Sequence, residues 1–151
     1  MEGIKVVAEN RQARFEYFIL DSYETGIVLK GDEVKSIRQG AVNLKDSFGV
    51  IIKGEVFLRN CHITPYKKGS YFNSEARRDR KLLLKRSEIA KLSGKVNEKG
   101  LTLIPLKIYL KGSLIKLELG LCQGKKLYDK RETLKQRTQE REAQRAVKEY
   151  I

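Results

Sequence analysis

Up to about residue 122 the chain alternates short apolar runs with turn residues, a pattern of strands rather than of long helices. RFEYFIL (14–20) and TGIVL (25–29) read as strands on either side of an acidic turn at Glu24. FGVII and EVFLR, joined by Lys53-Gly54 within 48–59, predict a tight hairpin. CHITPY (61–66) and RKLLLKR (80–86) add two further strands. LTLIPLKIYL (101–110), the turn KGS and LIKLELGL (114–121) predict a second hairpin. In its last strand Ile115, Leu117, Leu119 and Leu121 alternate with polar or small residues and so share one inward face.

Two segments leave this period of two. GDEVKSIR predicts a short helix capped by Asp32 over Val34 and Ile37. SEIAKLSGKVNEKG predicts another, capped at Ser87, with Ile89, Leu92 and Val96 on one face and Gly100 at its stop. Six or so short strands with two helices folded in imply a mainly β chain: a small antiparallel barrel, closed or partly open, of OB-fold type. A two-sheet sandwich is the alternative. YKKGSYFNSEARRDRK (66–81), basic and polar with Tyr71 and Phe72 interleaved, reads as a long surface loop.

The end of the chain follows neither pattern. Residues 123–151 hold nine basic and five acidic side chains and little to bury. At about 100° per residue, Lys126, Lys130, Arg137, Arg141, Arg145 and Lys148 fall with Leu134 into one acid-free stripe. Like charges at i,i+4 cost about 0.2–0.5 kcal/mol each. The opposite face of Tyr128, Ala143, Ala146 and Tyr150 buries too little to offset about 1 kcal/mol per residue of ordering entropy. The tail is therefore expected to be disordered when free and helical when bound in a phosphate-lined groove. This divides the chain into a barrel, 1–122, and a basic C-terminal tail, 123–151.

Charge sharpens the functional reading. The 32 Lys and Arg against 19 Asp and Glu leave a formal +13, most of it on the barrel, and imply a polyanionic partner. Cys61 and Cys122 lie in neither a CxxC nor a metal-ligand spacing and read as buried thiols in a reducing cytoplasm. The single histidine, His62, sits in a strand-like run and reads as structural. No phosphate-cradling, nucleophile-elbow or zinc motif is present, so no catalytic residue, cofactor or metal site is expected. Glu24, Glu33 and Asp46 are carboxylates that sequence alone does not bring together. With no apolar run of about 18 residues and no secretion-signal pattern at the start, the chain reads as a soluble, unexported protein with no membrane partner.

"NRQARFEYFI", "YETGIVLKGDEVKSIRQG", "VNLKDSF", "HITPY", "RRDRKLLLKRSEI", "GLTLIPLKIYLK" and "GKKLYDKRE", in that order, resemble the SsrA-binding protein family, also called small protein B, from about residue 8 to about 140. The resemblance implies an OB-type barrel that binds the tRNA-like part of transfer-messenger RNA. It also implies a non-enzymatic role in trans-translation, the rescue of bacterial ribosomes stalled without a stop codon. The implied partners are that RNA, the ribosome at its small-subunit decoding centre and ribosomal RNA, and elongation factor Tu through the RNA complex. Asn10 of NRQARFEYF, Glu24 of YETG and Leu83 of RKLLLKR correspond to family positions tied to RNA binding. Lys35, Arg38, Arg80 and Lys81 are expected to contact phosphates. Glu24 only accepts hydrogen bonds, from base amino groups or a 2′-OH, and so gives selectivity rather than bulk affinity.

GKKLYDKRE implies a place at the decoding centre for Lys125, Lys126, Tyr128, Asp129, Lys130 and Arg131, with Tyr128 stacking on a nucleobase. Arg137, Arg141 and Arg145 would follow the vacant messenger channel. The chain departs from the family at Tyr128 and Lys85, where histidine is common, and at Ala76, where proline is common. Two rivals are a ribosomal or initiation-factor-like OB protein and a non-specific single-strand binder. The ordered set of motifs speaks against the first, and an aromatic content of 8% against the second.

Overall fold

The computed structural model describes residues 3–65, 75–97 and 101–125. In chain order the elements are β1 (Ile4–Glu9), α1 (Arg11–Glu16), β2 (Tyr17–Ile27), α2 (Gly31–Arg38), β3 (Val42–Asn43) and β4 (Phe48–Ile52). Then come β5 (Glu55–Arg59), β6 (His62–Ile63), β7 (Arg80–Leu83), α3 (Arg86–Val96), β8 (Leu101–Lys111) and β9 (Leu114–Gly124). The strands β8-β4-β5-β7-β2-β9 hydrogen-bond in that order, and β9 returns to β8, so the sheet closes on itself as the expected OB-like antiparallel barrel. Closure leaves few open edges.

Strand β8 is the hinge of this closure. Near its start Leu103 pairs with Gly49 of β4, while Lys107–Lys111 pair with β1 on the same side. The hand-over comes at Pro105, which has no N–H to give, and the β8–β9 register shifts between Pro105 and Lys107. One extra residue switches the side that faces inward, so Leu103 and Ile108 both reach the core. β4 crosses β8 closely: a Cβ on Gly49 would lie 2.9 Å from the Leu103 Cβ, which explains glycine there.

Val56, Leu58, Leu82, Leu117 and Leu119 fill the interior, with Ile37 of α2 and Leu92 of α3 closing it. Ala13 of α1 forms a smaller cluster with Ile104 and Cys122 outside the barrel wall. Both cysteines are free and buried, and burial raises each thiol to about 11, in keeping with the buried-thiol reading.

The expected hairpins form. Lys53 (φ 49°) and Gly54 (φ 76°) make the β4–β5 turn, and β9 turns Leu117, Leu119 and Leu121 inward. Several local expectations change. Glu24 lies not in a turn but inside β2, which β9 pairs continuously from Tyr23 to Gly26. Arg14–Glu16 belong to helix α1, and neither α1 nor β1 is among the sequence expectations. The α2 cap is Lys30, whose N–H donates to Glu33 Oε1 at 2.9 Å, so Asp32 falls within the first turn. Lys85 likewise caps α3 with Glu88 Oε1 at 3.1 Å, in place of Ser87; Ile89, Leu92 and Val96 face the core as expected. Strand β9 runs past Cys122, because Gln123 and Gly124 still pair with Phe18 and Tyr17. Gly100 and residues 66–74 of the expected loop lie outside the described residues.

Candidate nucleic-acid interface

Within β2, Thr25 points inward and its hydroxyl donates to the Leu117 carbonyl at 2.9 Å, which turns Glu24 and Gly26 outward. On one side Glu118 and Lys116 of β9 stand opposite them; on the other, Leu83 of β7 stands opposite Gly26. A Cβ on Gly26 would lie 3.3 Å from the Leu83 Cβ, so the missing side chain is what lets Leu83 lie over β2. Leu83 is 51% exposed although it sits in a strand. Glu24 and Leu83, distant in sequence, thus share one outer face of the barrel. Lys81, two positions before Leu83, belongs to the same face and pairs with Glu55 at 3.1 Å.

Glu24 is held but not enclosed. Its Oε2 accepts from the Tyr109 hydroxyl and its Oε1 from Lys111 Nζ at 3.5 Å, and the side chain remains 42% exposed. The Tyr109 hydrogen bond, aided by Lys111 and Lys116 and opposed by partial burial, holds its carboxyl below the usual 4.5. Tyr109 shifts the other way: burial and the adjacent carboxylate raise its phenol. A charged acceptor with lone pairs still turned outward is the result. Arg38, at the end of α2, donates from Nη2 to the Ser113 carbonyl at 3.2 Å, at the tip of the β8–β9 hairpin, and Lys35 is exposed on the same helix.

Arg80 is a correction. It is 0% exposed, with Nε donating to Glu33 Oε2 at 2.6 Å, Nη1 to the Cys61 carbonyl at 2.7 Å and Nη2 to the Ala76 carbonyl at 3.0 Å. A guanidinium so placed does not reach a phosphate; it neutralises Glu33, itself 2% exposed. Burial alone would raise the Glu33 carboxyl, but hydrogen bonds from Arg78, the Lys30 N–H and Arg80 outweigh it and leave the carboxyl below its usual value.

Asn10 is also turned inward, at 8% exposure. It caps α1, its Oδ1 accepting from the Ala13 N–H at 3.2 Å, while Nδ2 donates to the carbonyls of Pro105 (2.9 Å) and Leu44 (3.4 Å). Its side chain fixes α1 against the bend of β8 instead of facing a ligand. The helix in turn brings Arg11 and Arg14 to an open groove of about 620 Å3, with Ile19, Lys107 and Glu118 on its other walls. Arg11 and Arg14 are absent from the sequence expectations. Reading NRQAR as a capped first turn would place both on one helix face.

Of the expected tail, Gln123 and Gly124 end β9 and Lys125 follows them. Its N–H donates to the Glu16 carbonyl at 2.8 Å, and its ammonium reaches the Arg14 carbonyl at 3.1 Å and lies 5.0 Å from the Phe18 ring centre. A cation suits the negative end of a helix. Lys126, Tyr128, Asp129, Lys130, Arg131, Arg137, Arg141 and Arg145 lie outside the described residues. Among the described residues no group of His, Cys, Asp and Glu gathers that could hold a metal ion, and no helix is long and apolar enough to cross a membrane.

The family model described as SmpB protein matches residues 7–149. The SsrA-binding protein of Trichodesmium erythraeum is 55% identical over 150 residues, which cover 99% of this chain and 96% of that protein. That of Synechocystis sp. is 60% identical over 148 residues, covering 97% and 96%. Among solved structures, "tmRNA-SmpB: a journey to the center of the bacterial ribosome" includes a chain that superposes with a TM-score of 0.69 at 51% identity, covering 84% of this chain and 93% of that one. With a match that spans barrel and tail alike, the chain belongs to the SmpB protein family.

Proposed function

We propose that this protein binds the tRNA-like domain of transfer-messenger RNA through its barrel and delivers that RNA to stalled ribosomes in trans-translation. It acts in the bacterial cytoplasm as a binding protein rather than an enzyme, and elongation factor Tu joins through the RNA. The observation that carries the reading is the outer face on which Glu24 and Leu83 meet over Gly26, with Lys81, Lys111 and Lys116 around them. Cations supply attraction to the phosphates; the exposed carboxylate supplies selectivity through base amino groups or a 2′-OH. Asn10 contributes by placing α1, and so Arg11 and Arg14, beside that face. Lys35 and Arg38 add phosphate contacts from α2. The tail from Lys126 onward reads the decoding centre and the empty messenger channel, with Tyr128 stacking on a base and Arg137, Arg141 and Arg145 facing phosphates.

The test separates barrel from tail. A chain ending at Lys125 keeps all of β9 and its anchor on α1. It should bind transfer-messenger RNA within a few-fold of the full chain, with a log–log salt slope of about −0.7 to −0.9 per phosphate contact, yet fail to support tagging on stalled ribosomes. Equal affinity for a random RNA of the same length, or a slope near zero, refutes the barrel's role. Tagging by the shortened chain refutes the tail's.

A further inference from the structure

Between the β4–β5 turn, β7 and the first turns of α3 runs an open groove of about 630 Å3, within the size range of small-ligand sites. Its floor is aliphatic, with Leu83, Leu84, Ile89 and Ala90, and its rim carries Lys53, Lys81 and Arg86 against a single acid, Glu55. Glu55 is already paired with Lys81, and among the described residues no carboxylate pairs with Lys53 or Arg86.

Neither position suits its cation on folding grounds. Lys53 occupies a left-handed turn conformation, φ 49°, that glycine or asparagine adopts more readily. Arg86 opens α3 directly after Lys85, at the positive end of the helix, where acids are favoured. An anion over the groove offsets the charge at the helix start and leaves the backbone of Lys53 as it is. The groove is also continuous with the face described above, because Leu83 lines it on one side and lies over Gly26 beside Glu24 on the other.

From these features we infer that the groove is a nucleotide subsite. One unpaired nucleotide of the bound RNA lays its base on Leu83, Ile89 and Ala90, and the phosphates flanking it are held by Lys53 and Arg86. An aliphatic floor grips the face of a base without reading its edge, so the subsite selects an unstacked nucleotide rather than a sequence. A fully paired stem has no base free to enter. The inference rests on the RNA-binding reading of the barrel. An acidic amphipathic peptide offers the same two chemistries, but continuity with the Glu24 face favours RNA.

The full chain carrying p-benzoylphenylalanine in place of Ser93, at the edge of the groove, is irradiated in complex with transfer-messenger RNA, both purified and in cell extract. An adduct at an unpaired nucleotide is expected. Separately, the Lys53→Gln, Arg86→Gln double variant should shrink the salt slope of binding by about 1.4 to 1.8, at 0.7 to 0.9 per lost contact, with no fall in melting temperature. The unsubstituted chain's preference for transfer-messenger RNA over random RNA is measured alongside. If that preference is absent, the barrel reading fails; if it is present while the double variant keeps its slope, the subsite alone fails. An adduct confined to paired RNA, or one to protein instead of RNA, likewise overturns the subsite.

Discussion

Glu33 and Glu24 have the same chemistry and similar partners, and they end in opposite situations. Each is a carboxylate held by a cation and a further donor, and each is held below its usual pKa. At the seam between α2 and β7, Glu33 has its lone pairs filled by the Lys30 N–H, Arg78 and Arg80, and water is excluded. On the outer face, Glu24 has Tyr109 and Lys111 on one side and solvent on the other. An exposed pair contributes about 0–1 kcal/mol and leaves acceptor capacity for a partner. A buried one is committed, because removing either member leaves a charge with no water to solvate it. The difference separates a charge that holds the fold from a charge that stays open to solvent.

The largest effect is expected at the seam. Glu33→Gln should lower stability by about 3–5 kcal/mol in urea unfolding, since it leaves Arg80 buried without its counter-charge. The sign with pH follows from the depressed carboxyl. The stabilisation from the pair is fully present above the ordinary value of 4.5 and is lost as pH falls through the lower folded value. The glutamine variant lacks that dependence, so the gap between the two proteins should narrow in acid. Unfolding of both at the same urea concentration would erase the distinction between the two glutamates.

That distinction is not legible in the sequence. GDEVKSIR reads as a short capped helix with Glu33 a carboxylate that nothing brings to a partner, RRDRK reads as the end of a basic loop with Arg80 turned to phosphates, and the Glu33–Arg80 pairing joins segments that no local rule connects. The hairpins β4–β5 and β8–β9 are legible because their pairing is local and their turns carry glycine. Glu24 reads as a turn residue for the opposite reason: DSYETG is polar and poor in strand formers, and it is strand only because β9 pairs along it. Strand β1 escapes notice because its partner, the second half of β8, is far along the chain. The seat of Leu83 over β2 depends on Gly26, a residue whose relevance appears only once β2 and β7 are paired. Local pairing is thus readable in the sequence, whereas the side to which a residue such as Asn10, Glu33 or Arg80 turns is decided by tertiary pairing.

Asn10 sits between the two cases, buried like Glu33 yet attached through α1 to the outer face. Asn10→Ala should cost about 1 kcal/mol, within a range of 0.5–2, for the lost cap. It also removes donors from the Pro105 and Leu44 carbonyls. RNA affinity should fall as well, because Arg11 and Arg14 ride on the helix it places. Asn10→Asp keeps the acceptor for the Ala13 N–H but sets a buried carboxylate oxygen against the Pro105 and Leu44 carbonyls in place of the two donors, so it should recover neither the stability in thermal unfolding nor the affinity. Full recovery of affinity by Asp would show that the cap alone, without the tie to β8, orients α1.

The smallest change tests the exposed side of the comparison. Tyr109→Phe removes the donor that contributes most to lowering the Glu24 carboxyl, so an NMR titration should show that carboxyl moving up towards 4.5. The group still titrates far below neutrality, so at pH 7 it remains a charged acceptor with one more lone pair open. Preference for transfer-messenger RNA over random RNA should therefore survive in Tyr109→Phe and be lost in Glu24→Ala, which removes a negative charge from a basic face and favours unspecific attraction. If Tyr109→Phe abolishes the preference as completely as Glu24→Ala does, the carboxylate must be fixed by its internal hydrogen bond in order to read RNA. Glu24 would then resemble Glu33, a charge whose use depends on a protein partner, and availability to solvent would no longer be what distinguishes the two.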